Sequence, residues 1–363
     1  MARILFVPLP AFGHIVPTLG VARHLKSRGH EPLYLTAPQF APLVEAAGAS
    51  IETMQRGDSD GHRFDLHIWQ EFVPGTGRND WGSRLSKLVR AIVEQQSFDL
   101  VLLDWQIAAR RVGKITEAVD KQRCLLFSTS LLNWNDVELT RPEVPMLIFC
   151  PKELEVPKFR SSCPALHYVE PSLRFMDEDN SPIDELRTSK GLVLAAFGSG
   201  VIRYPGFREQ CKLIADLAVR QPELQFVLAA GTAKQAAPEN FPIKPPNLLV
   251  VATLPQRKLL ESSDVFITHG GLSSIKEAIV AGTPMIVLPA LYDQPFNAMR
   301  VRYHNLGEAI FPEKLQIDIL EAAVLRTLAG LFDPAVHSMR EIFLARESAK
   351  PSFAIVDARL AGN

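Results

Sequence analysis

The sequence predicts an α/β protein made of two doubly wound parallel-sheet domains. Short, nearly continuous apolar runs alternate with helical segments in residues 3–129 and again from residue 191, which is typical of strands buried on both faces of a parallel sheet. An irregular, proline-rich stretch separates the two halves. The length of 363 residues agrees with this division, because about 150 residues per domain favours two cores in a chain of this size.

The first half contains five predicted strands joined by helices or irregular segments. The strands are predicted at 3–8, 33–36, 50–53, 98–104 and 123–129. One helix is predicted from Pro17, a favourable first-turn residue, to Arg28, and another over 38–47. His62 and His67 lie in an irregular excursion without a carboxylate partner, so no metal site is predicted there.

The second half repeats the pattern after an irregular connection over 130–182. Its strands are predicted at 191–197, 224–230, 248–252, 264–268 and 285–288, and its helices at 207–220 and 272–281, followed by a third that ends near residue 307. The tail over 317–360 is predicted to be helical with breaks at Pro334 and Pro351. We therefore assign 1–175 to a first domain, 176–349 to a second, and 350–363 to a C-terminal helix.

The composition excludes several classes of protein. The chain is 47% hydrophobic and 22% charged with a formal net charge of −1, which is ordinary for a soluble globular protein. No basic cluster suggests a nucleic acid or an anionic membrane as partner, and no apolar run reaches the length of a membrane span or a signal peptide. The four cysteines lack Cys-x-x-Cys spacing and are predicted to be reduced thiols in a cytoplasmic protein.

The stretch 268–277 indicates a strand end that feeds a helix. Its two glycines allow a tight turn and a close approach of the backbone to a ligand. Free N–H groups at the helix N-terminus favour a phosphate, to which Ser273, Ser274 and His269 would add side-chain donors. Glu277 shares the face of the serines one turn further on, where it suits the paired hydroxyls of a ribose. The alternative is a capped helix in which Glu277 only complements the dipole.

Polar residues at other strand ends supply candidate catalytic groups. His14 follows the first strand and Asp104 closes the fourth, and doubly wound folds bind ligands at these ends. A histidine takes a proton from a hydroxyl near neutral pH, and an aspartate bound to its second nitrogen would fix the tautomer. The alternatives are a loop histidine and an aspartate that caps a helix. Ser199, Asp293 and Gln294 stand at strand ends of the second half.

Several segments carry a resemblance to a known family. TLPQ (253–256), HGGLSSIKEAIVAGTPM (269–285) and DQPFN (293–297) resemble the donor-binding signature of the UDP-glycosyltransferase superfamily. PAFGHIVPTL (10–19) and FCPKELEVP (149–157) are similar to the opening and the interdomain segment of its bacterial macrolide and natural-product members. The resemblance spans nearly the whole chain and implies the GT-B fold, in which two Rossmann-like domains face each other across a cleft and the final helix crosses back to the first domain.

The resemblance implies a role for each residue that matches the family pattern. His14 matches the general base and Asp104 its acidic partner. Glu277 matches the ribose ligand, with Gln256 near the same sugar, while Asp293 and Gln294 match residues that hold the transferred sugar. In full, the donor side is assigned to Ser199, Leu254, Gln256, His269, Gly271, Ser273, Ser274, Glu277, Asp293 and Gln294, of which His269 and Ser274 match diphosphate ligands.

Two departures from the family pattern affect specificity. Thr253 stands where the family often has a Trp or Phe that stacks on the nucleotide base, so the choice between uridine and thymidine donors stays open. Backbone groups around Leu254 would still read the edge of the base. The stretch after Asp104 is short, whereas many relatives insert acceptor-side helices there, which implies an open or smaller acceptor cleft.

Together these expectations describe an inverting, metal-independent glycosyltransferase that needs no cofactor. It would move a hexose from a UDP- or dTDP-sugar to a hydroxyl of a small, hydrophobic natural-product or phenolic acceptor. A catalytically silent nucleotide-sugar-binding protein is the alternative, and a nicotinamide-dependent oxidoreductase is disfavoured because the first strand leads to Phe-Gly-His without a Gly-x-Gly-x-x-Gly turn. The tryptophans would line the acceptor pocket or the core; they are Trp69, Trp81, Trp105 and Trp134. The oligomeric state is undecided, and a homodimer stays open.

Overall fold

The computed structural model divides the chain into two compact units. It describes residues 1–53, 89–107, 120–131, 144–161, 163–173, 191–198, 206–231, 234, 236–237, 240 and 245–362. Unit 1 comprises Met1–Lys152, Ser161–Phe175 and Arg346–Asn363, and unit 2 comprises Glu153–Arg160 and Met176–Ala345. The chain therefore enters unit 2 briefly at residue 153 and again at residue 176.

Unit 1 is built on a seven-stranded sheet in the order β3-β2-β1-β4-β5-β6-β7. Its strands are β1 (Arg3–Val7), β2 (Glu31–Thr36), β3 (Ser50–Thr53), β4 (Leu100–Asp104), β5 (Cys124–Ser128), β6 (Met146–Ile148) and β7 (Leu166–Tyr168). All neighbours pair in parallel. The strand order reverses at β1 and β4, so the carboxyl ends of these two strands flank the switch point at which such sheets bind ligands.

Unit 2 is built on a six-stranded parallel sheet in the order β10-β9-β8-β11-β12-β13. Its strands are β8 (Leu192–Ala196), β9 (Gln225–Ala229), β10 (Leu248–Val251), β11 (Val265–Thr268), β12 (Met285–Val287) and β13 (Gly307–Ala309). β8 and β11 are wholly buried, as expected of central strands covered on both faces. The predicted class of two parallel α/β sheets is confirmed.

Helices connect the strands in both units. They are α1 (Phe12–Ser27), α2 (Ala41–Ala46), α3 (Phe207–Arg220), α4 (Gln256–Leu260), α5 (Leu272–Ala281), α6 (Gln294–Tyr303), α7 (Ile317–Leu328), α8 (Asp333–Ala349) and α9 (Pro351–Ala361), and residues 89–95 are also helical. Short 3-10 turns occupy Pro38–Phe40, Lys121–Arg123, Lys152–Leu154, Pro157–Phe159 and Pro312–Lys314. In the described ranges, no helix is both long and apolar enough to cross a membrane.

The predicted start of the first helix was wrong. α1 begins at Phe12 and contains Pro17 in its interior. The Ala11 carbonyl accepts from the backbone N–H groups of His14 and Ile15 at 2.9 and 3.1 Å, so the first turn closes before the proline, which removes only one helical hydrogen bond. His14 therefore lies on a helical turn and not in a loop.

The predicted irregular connection was also wrong in part. β6 and β7 lie within it, and both extend the first sheet with three residues each. Strands this short, bounded by Pro145 and Pro164, carry no alternating pattern of their own. β13 was missed for a similar reason, because its Gly307 indicates a helix end in the sequence.

The last helix packs on α1 within unit 1. The ring of His24 stacks on Phe353 with 4.1 Å between centroids, and His24 Nε2 lies 3.0 Å from Asp357 Oδ1. The buried Ser352 backbone N–H donates to Glu170 at 3.1 Å. These contacts tie the C-terminal segment to the unit that carries His14.

Candidate active site

A buried aspartate orients His14 in unit 1. His14 Nδ1 lies 2.8 Å from Asp104 Oδ2, and the Asp104 side chain is 1% exposed whereas that of His14 is 17% exposed. Asp104 is the last residue of β4 and His14 lies in the first turn of α1. The switch point of the sheet thus places the two predicted residues together.

Backbone donors hold the Asp104 carboxylate in place. The Leu9 N–H donates to Oδ2 at 3.2 Å and the Gln106 N–H donates to Oδ1 at 2.9 Å. With these bonds in place, the carboxylate accepts the Nδ1–H of His14. This fixes the tautomer that leaves Nε2 of His14 as the basic nitrogen. The Oγ1 atom of Thr129, which the sequence did not single out, lies 3.1 Å from the same Nδ1.

The predicted anion-binding turn lies between β11 and α5 in unit 2. Gly271 is the N-cap of α5, and the helix has neither a capping side chain nor an acidic residue in its first turn. Among the described residues, no side chain caps the first N–H groups of this helix, which suits an anion. Gly270 has a φ of 86°, and a Cβ there would lie 2.6 Å from Val287 Cγ1, so the turn requires glycine.

The ring of His269 fills the space beside this turn. A Cβ on Gly198 would lie 2.8 Å from its Cε1 atom, and a Cβ on Gly271 would lie 2.6 Å from its Nε2 atom. Burial lowers the pKa of His269 to about 4, opposed by a hydrogen bond to the Ala196 backbone. His269 is therefore neutral near pH 7, and its N–H points to the Ala196 carbonyl.

A second polar group lies one turn further along α5. Gln256 Nε2 donates to Glu277 Oε2 at 2.7 Å and to Ser274 Oγ at 3.2 Å. Burial raises the pKa of Glu277, while the bond from Gln256 and the nearby charges of Lys276 and Arg257 oppose that rise. The structure thus joins α4 and α5 through three of the predicted donor residues, and Ser273 is half-buried on the same helix.

Asp293 and Gln294 begin α6 after β12. Asp293 is the N-cap, and its Oδ2 atom accepts from Asn297 Nδ2 at 2.9 Å. Gln294 is 2% exposed. Its Oε1 atom accepts from the backbone N–H groups of Ala290 and Leu291 at 2.9 and 2.8 Å. That oxygen therefore shapes the loop before α6. The buried Asn297 was not singled out from the sequence, although it stands four residues after Asp293 and so on the same helix face.

Several of the residues predicted from the sequence lie outside the described part of the chain or make no hydrogen bond in the described part of the site. Ser199 lies outside the described residues, as do Trp69, Trp81 and Trp134. Leu254 is half-buried between β10 and α4, next to an exposed Thr253, and Trp105 is buried. Among the residues that the structure describes, no group of three or more His, Cys, Asp or Glu side chains is arranged to hold a metal ion.

Comparison with known proteins shows which family the second half of the chain resembles. Residues 183–332 match the family model described as "UDP-glucoronosyl and UDP-glucosyl transferase". That range includes the turn at Gly271, Glu277 and Asp293. The resemblance to the UDP-glycosyltransferase superfamily is confirmed. The prediction of an enzyme of the glycosyltransferase type is confirmed with it.

Relatives and solved structures extend the match to unit 1. The chain is 27% identical over 360 residues to NDP-glycosyltransferase YjiC of Bacillus subtilis, covering 89% of this chain and 88% of the relative. It is 24% identical to oleandomycin glycosyltransferase of Streptomyces antibioticus, covering 92% and 84%. The crystal structure of the glycotransferase of kitacinnamycin superposes with a TM-score of 0.79 at 22% identity, covering 99% of each chain. The predicted GT-B fold is confirmed.

Proposed function

We propose that the enzyme transfers a hexose from a UDP- or dTDP-sugar to a hydroxyl of a small natural-product or phenolic acceptor, with inversion and without a metal ion. The observation that carries the proposal is the His14–Asp104 pair, with 2.8 Å between Nδ1 and Oδ2, in a glycosyltransferase whose second unit has an uncapped helix N-terminus. The names of two relatives, an NDP-glycosyltransferase and an oleandomycin glycosyltransferase, support the donor and acceptor classes.

His14 is the proposed general base. Its Nε2 atom takes the proton of the acceptor hydroxyl, and the oxygen attacks the anomeric carbon of the donor sugar. As the new C–O bond forms, the bond between the anomeric carbon and the diphosphate oxygen breaks, and the diphosphate leaves with the electron pair. Asp104 stabilises the imidazolium that results, because its carboxylate accepts the hydrogen bond from Nδ1.

The N-terminus of α5 is the proposed ligand of the departing diphosphate. The first N–H groups of the helix and the hydroxyls of Ser273 and Ser274 face the negative charge that grows on the leaving group. A diphosphate near His269 would raise the pKa of the imidazole by direct charge attraction. These donors take the role that a divalent cation fills in other enzymes.

The remaining contacts to the nucleotide sugar are proposed for two pairs of polar residues near the Gly270–Gly271 turn. Glu277, held by Gln256, is the proposed acceptor for the ribose hydroxyls. Asp293 and Gln294 are the proposed ligands of the transferred sugar, and backbone groups near Leu254 would read the base. Because Thr253 offers no aromatic surface to the base, we propose that both uridine and thymidine donors are accepted.

A transfer assay tests the proposed function. We expect purified protein incubated with UDP-glucose or dTDP-glucose and a panel of phenolic and macrolide aglycones to form a glycoside, detected by mass spectrometry. Transfer in excess EDTA should match that in buffer alone. Donor binding without transfer or hydrolysis would show a catalytically silent protein, and a loss in EDTA that Mg²⁺ or Mn²⁺ reverses would contradict metal independence.

A further inference from the structure

A chain of buried polar side chains in unit 2 reaches both ends of the donor site. Glu155 and Arg300 form a two-pronged ion pair, with 2.8 Å from Nε to Oε1 and 3.0 Å from Nη2 to Oε2. Arg300 Nη1 donates to Asn297 Oδ1 at 3.1 Å. Asn297 Nδ2 then donates to the Gly270 carbonyl and to Asp293 Oδ2, each at 2.9 Å.

The chemistry of these partners allows only one orientation of the Asn297 amide. A guanidinium has donors and no acceptor, so the atom that faces Arg300 must be the amide oxygen. The Gly270 carbonyl and the Asp293 carboxylate only accept, so the NH₂ group must face them. Arg300 is 1% exposed, while Asn297 and Glu155 are both 0% exposed, so water does not compete for these bonds.

The two acceptors of Asn297 belong to different parts of the proposed donor site. Gly270 is in the turn that begins the diphosphate-binding helix, and its left-handed conformation directs its carbonyl to Asn297. Asp293 begins α6 and is the proposed sugar ligand. One amide group therefore sets the distance between the diphosphate end and the sugar end of the donor.

We propose that Asn297 is a positioning residue for catalysis, which holds the Asp293 carboxylate in register with the Gly270 turn so that the anomeric carbon faces the acceptor. Arg300 and Glu155 fix the orientation of the Asn297 amide. The inference rests on the proposed function, since it assigns the sugar contact to Asp293. Because small errors in the placement of reacting atoms reduce turnover strongly, the loss should fall on kcat more than on binding of the nucleotide.

The Glu155–Arg300 pair has the properties expected of an orienting group. Burial raises the pKa of Glu155, and the hydrogen bonds and charge of Arg300 oppose that rise. Buried ion pairs of this kind contribute little net stability compared with apolar side chains of similar size. Their value here would be to specify the amide orientation, which an apolar pair at 155 and 300 does not provide.

A kinetic comparison of three variants tests the positioning role. For Asn297→Ala we expect kcat for transfer to fall about 10- to 100-fold, while the dissociation constant of UDP, measured by calorimetry, stays within about threefold of wild type. The ratio of donor hydrolysis to transfer should rise, because a misplaced sugar reacts with water. The matched control is Asn247→Ala, which removes hydrogen bonds to the carbonyls of Ala218, Gln221 and Leu224 in the same unit and should leave kcat unchanged.

The double variant Glu155→Leu/Arg300→Met tests the positioning role independently, in case Asn297→Ala does not fold. It replaces the ion pair with apolar groups, keeps Asn297, and should lower kcat in the same selective way. Wild-type kcat in a folded Asn297→Ala, or in the double variant, would overturn the inference. So would a parallel loss of kcat and UDP affinity that Asn247→Ala reproduces. A wild-type protein that is inactive with every donor would instead refute the proposed function.

Discussion

Replacing His14 with alanine is expected to lower kcat for glycosyl transfer by about 10³-fold, the range found for a removed general base. The acceptor hydroxyl would then lose its proton only to water. Binding of UDP should be unchanged, because the proposed donor ligands all lie in unit 2. Steady-state transfer and calorimetric titration with UDP separate the two effects.

The surroundings of Asp104 should stay intact in the His14→Ala variant. The Asp104 carboxylate keeps the backbone donors of Leu9 and Gln106 after the imidazole is removed, so no buried charge is left without a hydrogen bond. His337→Ala is the matched control, since His337 is exposed on α8 and should not affect turnover. Turnover of His14→Ala near the wild-type rate would remove His14 from the mechanism.

Substitution of Gly271 by alanine is expected to lower the kcat/KM for transfer by about 100-fold, the loss typical when a donor to a developing negative charge is removed, and to weaken the binding of UDP. The new Cβ would lie 2.6 Å from His269 Nε2. Space is limited at Gly198 too, where a Cβ would lie 2.8 Å from Cε1 of the same ring. The φ of Gly271 is −61°, so alanine adds no backbone strain and the effect is steric.

Gly362→Ala controls for the substitution itself. Gly362 also has a negative φ, at −86°, and a Cβ there would be in ordinary contact with the Ala358 carbonyl at 3.6 Å. We expect this variant to bind UDP as the wild type does. Wild-type affinity in Gly271→Ala as well would show that the diphosphate does not approach this turn.

The sequence predicted the strands that have apolar patterns of their own. β1, β4, β8 and β11 lie at the centres of the two sheets, where burial on both faces demands continuous apolar runs. β6 and β7 depend instead on the strands beside them, so their three-residue segments carry no signal. β13 depends on a close approach of Gly307 to the carbonyl of Met285, where a Cβ would lie 1.8 Å away, and tertiary contacts of this kind are not visible in a sequence.

The site residues likewise divide into those that the sequence predicted and those whose properties depend on packing. His14 and Asp104 were predicted as a pair, with a helix cap as the alternative for Asp104, and the carboxylate in fact makes both kinds of contact: Oδ1 accepts from the Gln106 N–H and Oδ2 faces His14. The neutral state of His269 depends on burial of its ring beside Gly198 and Gly271. The role of Asn297 depends on an arginine and a glutamate that are 145 residues apart. Packing sets both properties, and neither follows from spacing.

The anomeric configuration of the product tests the central claim most directly. UDP-glucose and dTDP-glucose carry an α-linked sugar, and a single displacement by an acceptor oxygen activated at His14 inverts that centre. We predict that the coupling constant of the anomeric proton, measured by NMR on the purified glycoside, shows a β-linkage. An α-linked product would contradict direct displacement and with it the assignment of His14 as the base.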